Sequence, residues 1–274
     1  MLKSTNICYS LLLIASIERR SFTTLGQVIQ KSGDTVRRLL NPVPKIYGLL
    51  DNIAIKLFKN TKEVVCSIDD TLLKKAFSRF IEGTDKFFDT LIGRKIMSYK
   101  LLTGSITNGQ YTIPLRFEFV PSKDMLATAA EFKEELVKKM ILEVLKIFPD
   151  KTIIVAADGA FATKKLLKWV LDNGIKMEVR MHANRVIEYN GEKVQIRQIT
   201  NLLPKGRHMA RTIKAVWHDL ALNITAERRI DKHGEESIVY QAATYDAPPS
   251  KHVANYKKRW PSEKLYRTSK QHLG

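Results

Sequence analysis

Residues 151–161 read KTIIVAADGAF. The run from Lys151 to Ala157 is almost continuously apolar, with none of the alternation of a strand that has one wet face. Such a strand belongs at the centre of a sheet covered on both sides. It delivers Asp158 at its carboxyl end, where sites form in open α/β sheets. Downstream, Ala162 to Leu171 has helical spacing and stops at Asn173-Gly174, and Ile175 to Met181 reads as another strand. Upstream, Lys123 to Phe148 reads as a long amphipathic helix. Leu101 to Ile106 and Tyr111 to Val120 read as strands joined by a hairpin turn, Thr107-Asn108-Gly109-Gln110, with Asn-Gly at its centre. Glu63 to Ile68 (EVVCSI) is a short strand that ends at Asp69, followed by Asp70 and Thr71, and a helical stretch is expected near 80–93. The order strand, two hairpin strands, helix, strand, helix, strand predicts a mixed α/β sheet flanked by helices.

The rhythm changes at 183–246. Five short β-rich pieces (185–189, 193–199, 212–217, 219–227 and 237–243) alternate with turns at Asn190-Gly191 and His233-Gly234, as expected of a β-rich insertion. Pro248-Pro249 closes it, and a final helix is expected from His252 to Leu273. Residues 1–60 read as helical. Within them Thr24 to Leu40 (TLGQVIQKSGDTVRRLL) has two short helical segments around a Ser-Gly break. This is either a helix-turn-helix that turns Arg37 and Arg38 toward DNA or an ordinary helical hairpin. Asn41-Pro42 stops it. The expected organisation is a helical N-terminal region (1–60), the first part of the core (61–182), the insertion (183–246), and a C-terminal helix completing the core (247–274).

The chain of 274 residues is 44% apolar and 27% charged, in the range of globular domains. Its 46 Lys and Arg against 28 Asp and Glu give a formal charge of +18. That surplus makes nucleic acid the first candidate partner, since phosphates need many cations. Cys8 and Cys66 form neither a metal-ligand spacing nor a disulfide framework, which suits a reducing cytoplasm. Tyr9 to Ile17 is apolar but short, and is read as a buried helix rather than a signal peptide or membrane span. No Gly-rich phosphate loop is present, which argues against ATP-driven chemistry.

Three acids fit one site: Asp69 and Asp158 at strand ends, and Glu263 on the last helix. Such carboxylates can hold two divalent metals roughly 3.5–4 Å apart, and hard oxygen ligands suit Mg²⁺ or Mn²⁺. The C-terminal stretch 256–274, YKKRWPSEKLYRTSKQHLG, strengthens the case. Tyr256, Arg259, Glu263 and Lys270 share one helical face at about 100° per residue. Pro261 either kinks this helix or marks its first turn; in the second case Tyr256 and Arg259 lie on a lead-in segment. Asp69 and Asp70 face opposite sides of a strand, so only one of them can join the site; with Asp69 there, Thr71 lies two places beyond it. Asp70 or Thr71 would then cap the following turn or helix.

The spacing Tyr-x₂-Arg-x₃-Glu-x₆-Lys resembles the signature of a large family of bacterial insertion-sequence DDE transposases, the insertion-sequence-four-like superfamily. Ile68-Asp69-Asp70-Thr71 resembles its first motif, and Ala157-Asp158-Gly159-Ala160-Phe161 its second. A β-rich insertion between the second Asp and the Glu is also a family trait. Motifs and insertion cover residues 62–274. The resemblance implies a ribonuclease-H-like core and a metal triad of Asp69, Asp158 and Glu263 holding two Mg²⁺ or Mn²⁺ ions. It implies contacts from Tyr256, Arg259 and Lys270 to double-stranded DNA at the transposon's inverted repeats. It further implies a homodimer on paired ends, cut-and-paste transposition by 3′-hydroxyl attack, and a cytoplasmic, nucleoid-associated life in a bacterium. Relatives use a Trp of the insertion to stack on a flipped base; here Trp217 is either that residue or a core residue.

His182, near Arg180 and Arg185, and His208, in a basic turn, are secondary candidates for the DNA side. Trp169 and Trp260 are expected in the core. Two departures stand out. Ser262 replaces the aliphatic residue the family has before its Glu, so a looser seat for Glu263 is expected. The chain ends at Gly274, where relatives continue, so a truncated copy is expected. The alternatives are an inactive transposase that only binds DNA and another ribonuclease-H-like nuclease.

Overall fold

The computed structural model describes residues 43–74, 84–89, 92–122, 126–204, 209–231 and 233–264. The proposed helix-turn-helix with Arg37 and Arg38, the apolar run 9–17, His208 and Lys270 lie outside these residues. In chain order the elements are α1 (Val43–Leu57), β1 (Glu63–Lys74), β2 (Asp85–Asp89), β3 (Arg94–Thr107), β4 (Thr112–Val120), α2 (Ala129–Ile147), β5 (Thr152–Ala157), α3 (Lys164–Asp172) and β6 (Lys176–Met181). Then come β7 (Val186–Tyr189), β8 (Glu192–Gln195), β9 (Ala210–Trp217), β10 (Leu220–Ile230), β11 (Glu236–Ala243) and α4 (Pro249–Lys257).

β5 lies between β1 and β6 and runs parallel to both, with Ile68 opposite Ala157 and Ala157 opposite Val179. β3 is antiparallel to β1 and carries β4 on its other flank. This is the mixed α/β sheet flanked by helices expected from the sequence. The period of two along each strand sorts side chains into two layers. Ile68, Val155, Ala157, Met177 and Val179 join the main core with Val137, Met140 and Ile141 of α2 and Leu166 and Leu167 of α3. Val65, Ile154 and Ala156 point the other way and meet Tyr245. α4 crosses that second face, touching β5, β6, β9 and β10.

Several expectations change. Asp69 does not end its strand. The parallel ladder with β5 stops at Ile68, but the antiparallel ladder with β3 continues from Asp69↔Thr103 to Lys74↔Ser98. A backbone held in that ladder cannot begin a helix, so neither Asp70 nor Thr71 caps one. Asp85–Asp89, expected within a helical stretch, is instead a strand paired with the start of β3. β3 begins seven residues before the expected Leu101 and supplies the edge that Phe87 and Phe88 extend; aromatic residues favour that state. The piece expected as a strand over 193–199 pairs only to Gln195, then turns through 3₁₀ geometry. The β-rich segments continue the core sheet, because β11 pairs antiparallel with β6 (Tyr240↔Met181) and leads to β10, β9, β7 and β8.

The C-terminal helix is divided. α4 ends at Lys257, residues 258–259 form a turn, and helix resumes over 260–264. Pro261 therefore falls in the first turn of the resumed run, where its missing N–H costs nothing. Trp260, expected in the core, is 47% exposed. Ser262 is fully buried, and two residues along a helix is a rotation of about 200°, so Trp260 faces away from the core. Trp169 is partly buried against the core, as expected. Among the described residues no helix is long and apolar enough to cross a membrane.

Candidate active site

Asp69 sits on β1 just past the last residue paired with β5, on the face crossed by α4. Parity along the strand puts it with Val65, and Asp70 with Cys66 and Ile68 on the other face. Asp70 N–H donates to Asp69 Oδ1 at 3.0 Å, and Thr103 Oγ1 donates to the Asp69 carbonyl at 3.0 Å. Asp158 follows β5 and caps the one-turn helix Gly159–Phe161, its Oδ1 accepting from Ala160 N–H at 2.8 Å. Gly159 permits close approach there. A Cβ at this position would meet the Arg180 carbonyl and His182 Nε2 at 3.3 Å each, so the exposed His182 ring stands against the Asp158 turn.

Arg259 binds these elements together. Its Nη1 lies 3.3 Å from Asp69 Oδ2, and its Nη2 pairs with a Glu263 carboxylate oxygen. Its guanidinium carbon is 5.5 Å from the centre of the Tyr256 ring, within cation–π range. Arg259 is buried, at 8% exposure, and Tyr256 at 3%. Burial alone would weaken the charge on Arg259, but Tyr256, Asp69, Glu263 and Asp158 outweigh it and raise its pKa. Burial first, then the charges of Asp158, Glu263 and Asp70, push the Asp69 carboxyl up to about 6 against the pull of Arg259. Burial also raises the Tyr256 phenol, opposed by Arg259 and Arg180.

Asp69, Asp158, Tyr256, Arg259 and Glu263 thus come together, although Tyr256 and Arg259 precede the resumed helical run. Asp70 is elsewhere. It pairs with Lys133 of α2 and, at 3.1 Å, with Lys100. Burial would raise it, but the two lysines hold it below the usual carboxylate range. Lys133 also lies 4.0 Å from the centre of the Phe161 ring. Ser262 is not a loose fit: its Oγ is 2.6 Å from Ser105 Oγ on β3, both fully buried. A hydrogen bond does there what an aliphatic contact was expected to do.

Trp217 ends β9 at 6% exposure, with the Arg185 guanidinium 4.7 Å over its ring and His218 edge-on at 4.6 Å. The core reading describes its position. Arg185 Nη1 donates to the Ala162 carbonyl at 2.9 Å, tying β7 to the turn behind Asp158. Sequence reasoning misses Lys100, Lys133 and Ser105 as members of the surrounding framework, and marks Arg185 only as a neighbour of His182. Each acts through a partner outside its own stretch of sequence, so no local signal singles it out.

Residues 60–274 match a family model described as the transposase DDE domain. No curated protein matches the chain. Similar solved structures include a Mos1 transposase paired-end complex with the left transposon end (10% identity, TM-score 0.24). They also include Marinitoga piezophila Argonaute with a 5′ OH guide RNA (12% identity, TM-score 0.31). The match to the Mos1 complex covers 65% of this chain and 58% of that one, and the match to Argonaute covers 73% and 26%. The chain therefore spans less than two thirds of the length of either.

Proposed function

This chain belongs to the transposase DDE domain family, and on that premise we propose that it is a metal-dependent DNA transposase, cutting at the terminal inverted repeats of its own element and joining the freed 3′ ends to a target. The observation that carries the proposal is the gathering of Asp69, Asp158 and Glu263, from three separate elements, around one guanidinium. It would act as a homodimer on paired ends, on double-stranded DNA in the bacterial cytoplasm.

The donor set suits a hard divalent cation, Mg²⁺ or Mn²⁺, since the cluster contains carboxylate oxygens and no thiolate. Burial first, and then the neighbouring acids, raise the Asp69 pKa, so a bound cation would favour its charged form. Among the described residues no three acid, His or Cys side chains stand close enough to grip an ion as they are. Arg259 bridges two of the three acids, and its release from either frees oxygens for a metal. Two such ions, when bound, would activate the attacking hydroxyl or water and stabilise the leaving oxygen. Arg259, turned from the acids, would clamp a phosphate bidentately, with Tyr256 and Lys270 beside it. Arg37 and Arg38 would contact the DNA end from the N-terminal region.

The test is a cleavage and strand-transfer assay on DNA carrying the inverted repeats that flank the gene, in Mg²⁺ or Mn²⁺, with Asp158→Ala as control. Nicking at the repeat boundary that needs metal and is lost in the control is the expected result. Specific binding without cleavage would identify a protein that only occupies DNA ends. Cleavage without end preference would identify a general nuclease. Glu263→Gln is expected to abolish cleavage and keep end binding; loss of both would make Glu263 structural. Arg259→Ala is expected to weaken end binding and flatten its salt dependence, and an unchanged binding curve would remove it from the DNA contacts.

A further inference from the structure

Beneath α4, and away from the acids, lies a second polar group that no step of the chemistry above uses. Glu178 on β6 is fully buried. Its Oε1 accepts the Tyr245 hydroxyl and lies 3.0 Å from His252 Nδ1. Asn255 Nδ2 donates to Tyr245 Oη at 3.0 Å. His252 and Asn255 are each 1% exposed. Tyr245 is itself held from behind, because Asn223 Nδ2 donates to its carbonyl at 2.9 Å. The neighbouring Thr244 Oγ1 accepts from Met177 N–H at 2.9 Å and donates to the Ile175 carbonyl at 2.8 Å. Two residues of α4 therefore dock on a carboxylate and a phenol whose positions are set by β6, β10 and the segment after β11.

The docked residues have a fixed relation to the site. His252, Asn255 and Tyr256 follow the i, i+3, i+4 spacing of one face of α4, and Arg259 lies in the turn that follows directly from its end. The network grips His252 and Asn255, and just beyond the helix end Arg259 meets Asp69 and Glu263. Apolar residues of similar volume would stabilise such a contact as well or better. They would also tolerate a slipped helix, whereas hydrogen bonds of fixed direction do not. A slip of one residue turns a helix by about 100°, enough to carry Tyr256 and Arg259 off the acids. We propose that Glu178, Tyr245, His252 and Asn255 form a buried positioning network that fixes the rotation and register of α4 and so aims Tyr256 and Arg259 at the acid cluster. The importance of that aim rests on the acid cluster being the working site; the seating of the helix does not.

The Ser105–Ser262 contact supplies a readout that needs no activity. In the full chain with Cys8→Ser, the pair Ser105→Cys and Ser262→Cys is expected to cross-link readily on mild oxidation, because the hydroxyls they replace are 2.6 Å apart. Adding Glu178→Leu should slow the cross-link about tenfold while the chain stays folded by circular dichroism, and Glu178→Gln, which keeps the acceptor oxygen, should restore most of the rate. A folded leucine variant that cross-links at the parental rate would overturn the proposal, and so would a glutamine variant no better than leucine. Should the leucine variant fail to fold, Tyr245→Phe removes one hydroxyl and almost no volume. Its expected slowing is at least about fivefold, since the hydroxyl makes two hydrogen bonds and one alone is worth roughly that factor, and an unchanged rate overturns the proposal equally. In the repeat-cleavage assay the same variants should lower kcat more than KM. A parent chain that cleaves nothing would defeat the proposed function, while the cross-linking rates would still decide whether the network seats the helix.

Discussion

Asp69 and Asp70 are joined by one peptide bond, yet they face opposite layers of the molecule and meet opposite charge. On the α2 side Asp70 has two lysines for one carboxylate and titrates low. On the α4 side Asp69 shares one arginine with Glu263, has Asp158 close by, and is pushed up to about 6. The first arrangement is neutralised and closed. The second gathers three acids about one arginine, with Asp69 both buried and crowded by like charge. Strand alternation alone separates the two.

The sharpest way to break the comparison is to remove each charge in turn. Asp69→Asn is expected to reduce repeat cleavage about 10³-fold or more, the scale on which a group acting in the transition state is felt, and to leave folding intact or improved. Asp70→Asn is expected to do the reverse. It leaves Lys133 and Lys100 without their carboxylate, at side-chain exposures of 15% and 27%. A loss of about 2 kcal/mol in chemical denaturation follows, between the values for exposed and buried pairs. If Asp70→Asn abolished cleavage at unchanged stability, the assignment of the two acids would have to be exchanged.

Acid titration sharpens the same contrast, because the two acids contribute slopes of opposite sign. The folded pKa of Asp69 lies above its unfolded value, so the native state binds the extra proton. Its contribution to stability in metal-free buffer therefore falls as pH rises from about 4 to 6, by up to about 3 kcal/mol. Asp70 is depressed in the native state, so its contribution is present above pH 4 and is lost as pH falls below that. Denaturation at a series of pH values should show Asp69→Asn removing the downward slope between pH 4 and 6 and Asp70→Asn leaving it in place. A difference between wild type and Asp69→Asn that does not change across that window would contradict the raised Asp69 pKa.

The smallest expected effect lies at the base of the resumed helix. Ser262→Ala leaves the buried Ser105 hydroxyl without its partner, a cost of about 1–2 kcal/mol. Ser262→Val, with the aliphatic character expected of the family, should be no better while Ser105 remains. Pairing it with Ser105→Ala should recover the loss, since replacing both partners by apolar groups can be nearly neutral. A double variant no more stable than Ser262→Val alone would remove the hydroxyl pair as the reason for the seat.

Much of this was legible from local pattern. The apolar run 152–157, the Asn-Gly hairpin before β4 and the amphipathic α2 announce themselves within a dozen residues, and with them the sheet class and the place of Asp158. Tyr256, Arg259 and Glu263 were visible because helical spacing is a local rule that survived even an interruption at 258–259. What pattern did not reveal was decided by partners far along the chain. β1 runs on to Lys74 because β3 extends beside it. Phe87 and Phe88 lie in a strand because β3 offers an edge. Trp260 is exposed because Ser262, two residues on, has Ser105 to meet, 157 residues away. The bridge from Arg259 to Asp69 spans 190 residues, and no window of sequence contains both ends.

That last separation has a consequence in time. A chain leaves the ribosome from its N-terminus and its parts fold as they emerge. β1 and β5, with Asp69 and Asp158, can pair long before residues 249–264 exist. Until those residues arrive there is no Tyr256, no guanidinium and no third acid, and the half-built sheet edge carries two carboxylates with nothing to do. On the proposed function, a nascent or prematurely halted product is therefore harmless to the chromosome beside which it is made. On that reading the three acids of the proposed site exist together only once the ribosome has read past codon 263.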